Sequence, residues 1–156
     1  MNDKVKSPKR RALVTGLAGA GVVAAFVATG LIPNIVSAAN DGDITDKEAL
    51  QRQQDGKMII VDVRTPPEWQ QTGIAKGALK VEMQDPDFLK KMVELRQSNP
   101  DKEIGFICAS SNRSGQVQKA LSQAGFDRVF SVYGGMTGNG QVPGWIADGL
   151  PTEKCC

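Results

Sequence analysis

The sequence predicts an α/β fold in which a parallel sheet is covered by helices on both faces. Segments of strand and helix character alternate along the chain, and glycine, proline or asparagine separates them. The strand segments are short, nearly continuous apolar runs, which is typical of parallel strands buried on both faces. No internal repeat or low-complexity tract follows the N-terminal region. One domain of ordinary size is therefore expected.

Four apolar segments are predicted to be strands, and a weaker fifth lies near Ile44. The four strong segments are Met58–Val63, Ala78–Glu82, Glu103–Ile107 and Val129–Val132. In open parallel sheets the ligand crevice lies beyond the carboxyl ends of the strands. Asp62, Arg64 and Cys108 stand at such ends and are therefore candidate site residues.

Helical periodicity and capping residues predict four helices between these strands. One follows Asp46 and ends before Gly56, and a second begins at Pro66 after Thr65 and stops at Gly73. The third runs from Phe88 to Arg96. In the fourth, apolar residues recur at helical spacing before a C-capping glycine; they are Val117, Ala120, Leu121 and Ala124.

The N-terminal region differs in composition from the rest of the chain. Residues 1–11 carry five Lys or Arg and one acidic residue, and the uncharged apolar run Ala12–Ile32 follows. This pattern predicts an N-terminal hydrophobic helix that is either an export signal or a transmembrane anchor. Small residues at Val36–Ala38 favour cleavage. We expect residues 1–39 to be this segment and residues 40–156 to form the working domain, placed in the periplasm in both cases.

The composition of the domain excludes several function classes. Removing residues 1–38 changes 19 basic and 17 acidic residues into 14 and 16, so the domain is weakly acidic and nucleic-acid binding has little support. Histidine is absent, which excludes His-based triads and metal sites. Three cysteines, two of them the terminal Cys155 and Cys156, do not make a disulfide scaffold.

The segment from Cys108 to Arg113 is the most informative motif, because it joins a buried strand to an amphipathic helix. A thiol at such a junction faces unpaired backbone N–H groups and the positive end of the helix dipole, which favour its anionic form. Cys108 is therefore a candidate nucleophile. The small and polar residues between it and Arg113 allow successive N–H groups to form an anion-binding cup. This interpretation requires an accessible thiol; the alternative is a small buried side chain.

Several segments occur in the order found in rhodanese-like single-domain sulfurtransferases, and the resemblance spans Ile44–Pro151. They are Val61–Arg64, Pro67–Trp69, Gly73–Ala78, Cys108–Arg113, Gly134–Gly135, Trp145 and Gly149–Pro151. The resemblance implies a five-stranded parallel sheet and a catalytic Cys108 that carries sulfur as a persulfide. It further implies that Asp62 and Arg64 are supports, with Glu68 as the partner of Arg64. Two departures are Ile74, where relatives usually have His, and a longer stretch between Gly135 and Trp145.

The resemblance implies a sulfurtransferase that takes sulfane sulfur from a donor such as thiosulfate and passes it to a thiol or cyanide. The substrate-binding loop is then Ala109, Ser110, Ser111, Asn112 and Arg113. Four residues separate Cys108 from Arg113, whereas phosphatases and arsenate reductases on this fold have one more; the smaller cup favours sulfur. A non-catalytic sulfur carrier or partner-binding module is the alternative, and a phosphatase or arsenate reductase is a weaker one. No cofactor or metal is required.

Three further features leave alternatives open. Arg113 either orients an incoming anion or pairs with a carboxylate and fixes the loop. The glycine-rich stretch after Gly134 is a long loop that could act as a lid or an acceptor-docking element. Cys155 and Cys156 either resolve the Cys108 persulfide or relay sulfur to a protein thiol partner, or else they belong to a frayed tail. The expected partners are otherwise small molecules, with the membrane reached only through the N-terminal segment.

Overall fold

The computed structural model describes residues 42–156, in which seven strands and four helices follow one another. The strands are β1 (Asp43–Thr45), β2 (Met58–Asp62), β3 (Ile74–Ala75), β4 (Leu79–Lys80), β5 (Glu103–Ile107), β6 (Val129–Tyr133) and β7 (Thr152–Glu153). The helices are α1 (Asp46–Gln54), α2 (Pro66–Thr72), α3 (Phe88–Ser98) and α4 (Asn112–Gln123). The predicted signal or anchor at residues 1–39 lies outside these residues. Within the described range, no helix combines the length and apolarity needed to cross a membrane.

Five strands form one parallel sheet in the order β1-β6-β5-β2-β4. The longest pairing joins β2 to β5, where Met58 lies opposite Glu103 and Asp62 opposite Ile107. β2 and β5 each have a neighbouring strand on both sides and are therefore buried within the sheet. This burial explains their continuous apolar sequences. The predicted α/β fold with five parallel strands is confirmed.

Helices cover both faces of this sheet. On one face Ala49 of α1 packs with Ile60 and Ile107, and on the other Met92 of α3 and Val117 of α4 pack in a second cluster. Consecutive strand residues alternate between these clusters, as the two-residue repeat of a strand requires. Burial of each large apolar side chain contributes about 1.5–3 kcal/mol.

The structure differs from the sequence prediction at short elements. The strand predicted over Ala78–Glu82 is reduced to the two-residue β4, because it lies at the sheet edge and Leu79 and Lys80 are exposed. Thr45, rather than Asp46, caps α1 by accepting a hydrogen bond from the Glu48 N–H. The antiparallel pair β3–β7 was not predicted, because strands of two residues carry no periodic pattern.

A turn at Gly134 and Gly135 brings the chain after β6 against the segment after β5. Gly135 has a φ of 62°, and a Cβ atom there would lie 2.6 Å from the carbonyl oxygens of both Cys108 and Ala109. Gly140, in the same loop, has a φ of 83° but would have nothing within 4 Å of a Cβ atom. The backbone approach at Gly135 therefore excludes any side chain.

This difference predicts unequal effects of two alanine substitutions. Gly140→Ala should cost about 1–2 kcal/mol, because a left-handed backbone is unfavourable for alanine. Gly135→Ala should cost about 1–3 kcal/mol more, because the backbone of Cys108 and Ala109 must also shift. Urea unfolding of the two variants measures the free energies of unfolding, and equal losses would contradict the close approach.

Candidate active site

Cys108 follows the last residue of β5, and the loop after it turns sharply into α4. The turn depends on Ser111, which has a left-handed φ of 67°. Such a turn directs successive backbone N–H groups towards one concave side. Within residues 42–156, the N–H groups of Ala109 to Ser114 have no hydrogen-bond acceptor, and the first one bonded is that of Gly115, to the Ser111 carbonyl at 2.9 Å. These N–H groups are therefore available to an anion.

The Cys108 thiol contacts a pair of buried serines. Its Sγ donates to the Ser114 Oγ at 3.5 Å, and the Ser114 Oγ lies 2.9 Å from the Ser131 Oγ. Both serines are fully buried. Sequence reasoning missed them, although Ser131 gave a signal, since it is the one polar residue in the apolar segment Val129–Val132. A hydroxyl beside sulfur can donate to it once the thiol has lost its proton.

Cys108 is only 1% exposed, which differs from the accessible thiol expected from the sequence. The reason is packing, because the side chain belongs to the apolar cluster that includes Val63 and Val117. The loop residues Ala109 to Ser111 are partly exposed. The sulfur is thus covered, while the adjoining loop that carries the unpaired amides is partly exposed.

Arg113 forms a two-pronged ion pair with Glu68 of α2. One guanidinium nitrogen lies 2.8 Å from Glu68 Oε2 and the other 2.5 Å from Oε1. Glu68 also accepts hydrogen bonds from the Thr65 N–H and hydroxyl, at 3.0 and 2.7 Å. Of the two roles left open for Arg113, the structure shows the pairing with a carboxylate, which joins the start of α4 to the start of α2.

The ion pair alters the protonation of both partners. The hydrogen bond from Arg113 is the largest cause that lowers the pKa of Glu68 from 4.5 to about 2, and the Thr65 hydrogen bonds lower it further against partial burial. The hydrogen bond to Glu68 in turn raises the pKa of Arg113. Both groups stay charged across the physiological range.

Arg64 contacts Glu68, the predicted partner, only through the backbone: its Nη1 donates to the Glu68 carbonyl at 3.5 Å, and no ion pair with the Glu68 carboxylate forms. Its guanidinium instead binds Asp62, with Nε 3.0 Å from Oδ1 and Nη2 2.7 Å from Oδ2. Nη1 donates to the Thr72 hydroxyl and Nη2 to the Gly73 carbonyl, each at 2.7 Å. The side chains of Arg64 and Asp62 are almost fully buried, and each of their polar groups has a hydrogen-bond partner. The Glu68 carboxylate does not bind Arg64 because it binds Arg113 of α4 instead.

The glycine-rich stretch after β6 is bonded to the candidate active loop. The Met136 N–H donates to the Cys108 carbonyl and the Thr137 N–H to the Ala109 carbonyl, both at 2.8 Å. The base of this stretch is therefore fixed, not a free lid. Its tip lines an open polar groove of about 800 Å³ beside the loop. Lining residues include Ser110, Asn112, Gln116, Lys119, Asn139 and Gln141.

The other sequence candidates make no hydrogen bond or disulfide with Cys108 within residues 42–156. Trp145 is fully buried in the core, as expected, and its indole N–H donates to the Pro151 carbonyl at 2.8 Å. Cys155 and Cys156 form a disulfide at the chain end. In the part of the chain that the structure describes, no cluster of three or more His, Cys, Asp or Glu side chains could hold a metal ion.

A parallel α/β sheet with a cysteine in an amide-lined loop, and an arginine at the start of the next helix, defines a class of α/β proteins in which the loop can hold an anionic sulfur. Within that class, the chain belongs to the rhodanese-like domain family, whose profile matches residues 45–139.

Individual relatives agree with this assignment. A sulfurtransferase of Allochromatium vinosum is 34% identical over 110 residues, which cover 68% of this chain and 90% of that protein. The thiosulfate:glutathione sulfurtransferase of Saccharomyces cerevisiae is 27% identical over 112 residues, 67% of this chain and 76% of that protein. The crystal structure of Rv0390 from M. tuberculosis is similar with a TM-score of 0.60 and 26% identity, covering 73% of this chain and 98% of that one.

The lowered pKa of Glu68 predicts a pH-dependent contribution to stability. Since the folded pKa is about 2 and the ordinary value is 4.5, the stabilisation is complete above about pH 4.5 and is lost as the pH falls towards 2. Glu68→Gln should lower the free energy of unfolding by about 1–3 kcal/mol at pH 7, with solvent screening reducing the value. Near pH 2 the variant and the wild type should unfold equally easily in urea.

Glu82→Gln is the matched control, because the Glu82 side chain has no hydrogen bond or ion pair within residues 42–156. This substitution should leave the pH dependence unchanged. A Glu68→Gln penalty that stays constant from pH 7 to pH 2 would contradict the assignment of the ion pair.

Proposed function

We propose that the protein is a sulfurtransferase that moves sulfane sulfur from a donor such as thiosulfate to a thiol or cyanide through a persulfide on Cys108. The observation that carries this proposal is the set of unpaired N–H groups from Ala109 to Ser114 around the only free cysteine of the described residues. Membership of the rhodanese-like family and the sulfurtransferase relatives support the same reaction type.

The reaction has two sulfur transfers. In the first, the Cys108 thiolate attacks the outer sulfur of thiosulfate, the sulfur–sulfur bond of the donor breaks, and sulfite leaves with the bonding electrons. In the second, an acceptor thiolate or cyanide attacks the outer sulfur of the persulfide, and Cys108 returns as thiolate. This two-stage course predicts ping-pong kinetics. The loop N–H groups stabilise the anionic outer sulfur, at about 3 kcal/mol for a donor of the oxyanion-hole type.

Ser114 acts in this proposal as a positioning residue. Its hydroxyl is 3.5 Å from the Cys108 Sγ and is held by Ser131 and by the Ser111 carbonyl at 3.2 Å. A hydroxyl so held can rotate to donate to the thiolate that each sulfur transfer leaves behind. Arg113, engaged by Glu68, shapes the loop and adds positive charge near the sulfur.

The polar groove beside the loop gives the acceptor a place to bind. Its lining is rich in side-chain amides and hydroxyls, with Lys119 as a basic group and Asp43 as an acidic one. Such a surface fits a polar thiol that carries amide and carboxylate groups better than an apolar one. The yeast relative, named for transfer from thiosulfate to glutathione, agrees with an acceptor of this kind.

A periplasmic location is part of the proposal. Its support is the basic residues 1–11 followed by the apolar run Ala12–Ile32 in the sequence. In that location the domain is either exported after cleavage or tethered to the inner membrane.

The first test is intact-mass analysis after exposure to thiosulfate. The wild-type protein with its terminal disulfide intact should gain one sulfur atom, whereas Cys108→Ser should gain none. The sulfur should leave again when cyanide or a thiol is added, with turnover in a continuous assay. The mass of peptides after digestion locates the added atom.

The outcomes also separate the alternatives. Loading without turnover with any acceptor would favour a sulfur carrier, and failure to load together with hydrolysis of p-nitrophenyl phosphate would favour a phosphatase. Equal sulfur gain in wild type and Cys108→Ser would exclude Cys108 as the nucleophile.

Replacing the two buried serines tests the positioning role. Ser114→Ala and Ser131→Ala should each cost about 1–3 kcal/mol of stability, because each leaves a buried polar group without its partner. Only Ser114→Ala should slow sulfur loading, by about fivefold to tenfold, since it removes the hydroxyl in contact with sulfur. The pH profile of loading should move in Ser114→Ala with an unchanged KM for thiosulfate. Equal slowing in both variants would indicate a purely structural role.

A further inference from the structure

The C-terminal segment is paired with the domain as far as Glu153. In β7, Thr152 pairs with Ala75 and Glu153 with Ile74 of β3. The preceding Pro151 carbonyl accepts the Lys76 N–H at 3.0 Å as well as the indole of Trp145. These contacts hold residues 151–153, from which the last three residues continue.

The fixed tail brings both terminal cysteines to one ammonium group. The Lys80 Nζ lies 3.1 Å from the Cys155 Sγ and 3.4 Å from the Cys156 Sγ, and the two sulfurs are bonded to each other. Cys155 is partly exposed and Cys156 is exposed. After reduction, a positive charge at this distance favours a thiolate, which is the nucleophilic form of cysteine.

Lys80, which contacts the terminal pair, and Cys108 stand at the carboxyl ends of β4 and β5, the two strands that flank β2. Lys80 of β4 is opposite Asp62 of β2, and Asp62 is opposite Ile107 of β5, the residue before Cys108. Neighbouring strands are about 4.8 Å apart, so the backbones at Lys80 and Ile107 are about 10 Å apart. Both residues thus lie at the carboxyl ends of strands, where parallel sheets hold their ligands. Lys80 shares a sheet face with Ile107, whereas the Cys108 side chain packs on the other face, so sulfur transfer within one chain passes around the end of the sheet.

We infer that Cys155, Cys156 and Lys80 form a second sulfur site, which accepts sulfane sulfur from the Cys108 persulfide and releases it as hydrosulfide. The inference rests on the proposed function, because that function supplies the persulfide. The persulfide comes either from the same chain or from a second copy, and the chemistry is the same in both cases.

The steps balance in atoms and electrons. The thiolate of one terminal cysteine attacks the outer sulfur of the Cys108 persulfide, the old sulfur–sulfur bond breaks, and Cys108 leaves as thiolate. The other terminal thiolate then attacks the inner sulfur of the new persulfide. A disulfide between Cys155 and Cys156 forms and hydrosulfide leaves, so the dithiol is oxidised by two electrons and the sulfane sulfur is reduced by two. An external dithiol reduces the terminal disulfide for the next cycle.

The experiment compares the full-length reduced wild type with the double variant Cys155→Ser, Cys156→Ser after anaerobic removal of the reductant. One equivalent of thiosulfate is added, and intact mass and released sulfide are followed. The wild type should lose its added sulfur, lose two hydrogen atoms from the C-terminal peptide and release one equivalent of sulfide. The double variant should keep the Cys108 persulfide on the order of tenfold longer.

Three further arms complete the test. In Cys108→Ser the tail should stay reduced, and Lys80→Gln should slow sulfide release about threefold or more. Mixing Cys108→Ser with the double variant shows which chain supplies the sulfur. Oxidation of the terminal cysteines in this mixture means transfer between copies, and no oxidation means transfer within one chain.

Failure of the inference and failure of the proposed function give different results. A Cys108 persulfide that decays equally fast in wild type and double variant would overturn the second site and leave the sulfurtransferase standing. Tail oxidation without Cys108 would also overturn it. If the double variant forms no persulfide on Cys108, both the second site and the proposed function are refuted. If Lys80→Gln releases sulfide at the wild-type rate, the role assigned to Lys80 is refuted.

Discussion

The site depends on two backbone hydrogen bonds that fix the peptide planes after Cys108. In a planar trans peptide the carbonyl and the N–H point in opposite directions. The Cys108 and Ala109 carbonyls are held by the N–H groups of Met136 and Thr137, so the N–H groups of Ala109 and Ser110 are turned the other way. The unpaired amides of the cup are thus a consequence of how the loop after β6 meets the loop after β5. The two loops can come this close because residue 135 is glycine and has no side chain.

Two ion pairs extend this constraint across the domain through α2. The buried pair of Asp62 and Arg64 fixes the end of α2 by binding Thr72 and Gly73. Glu68, at the start of α2, holds Arg113 at the start of α4. Breaking either ion pair therefore affects the Cys108 loop, although neither pair contacts the sulfur. Removing one partner of the buried pair would be the more costly change, at about 3–5 kcal/mol, because a charge is left uncompensated.

The sequence predicted the elements whose signals are local and missed the contacts that are not. Periodic apolar residues and capping groups predicted the helices and the longer strands, and the spacing from Cys108 to Arg113 predicted the loop. The partner of Glu68 could not be derived, because nothing local to α2 indicates that α4 begins beside it. The same holds for the pairing of β7 with β3 and for the burial of Cys108, which arises from Val63 and Val117 on different elements.

Burial of the sulfur and the small size of the cup bear on the choice between sulfur transfer and chemistry on a tetrahedral oxyanion. Covering a thiol excludes water, which strengthens the interaction of the amides with any anion formed there. The proposed persulfide adds only one atom to Cys108, next to a loop whose N–H groups are unpaired. A bound phosphate would need room for four oxygens beneath the same loop, while the thiol is only 1% exposed. The arrangement therefore favours a single added sulfur, since the loop must move less to accept it.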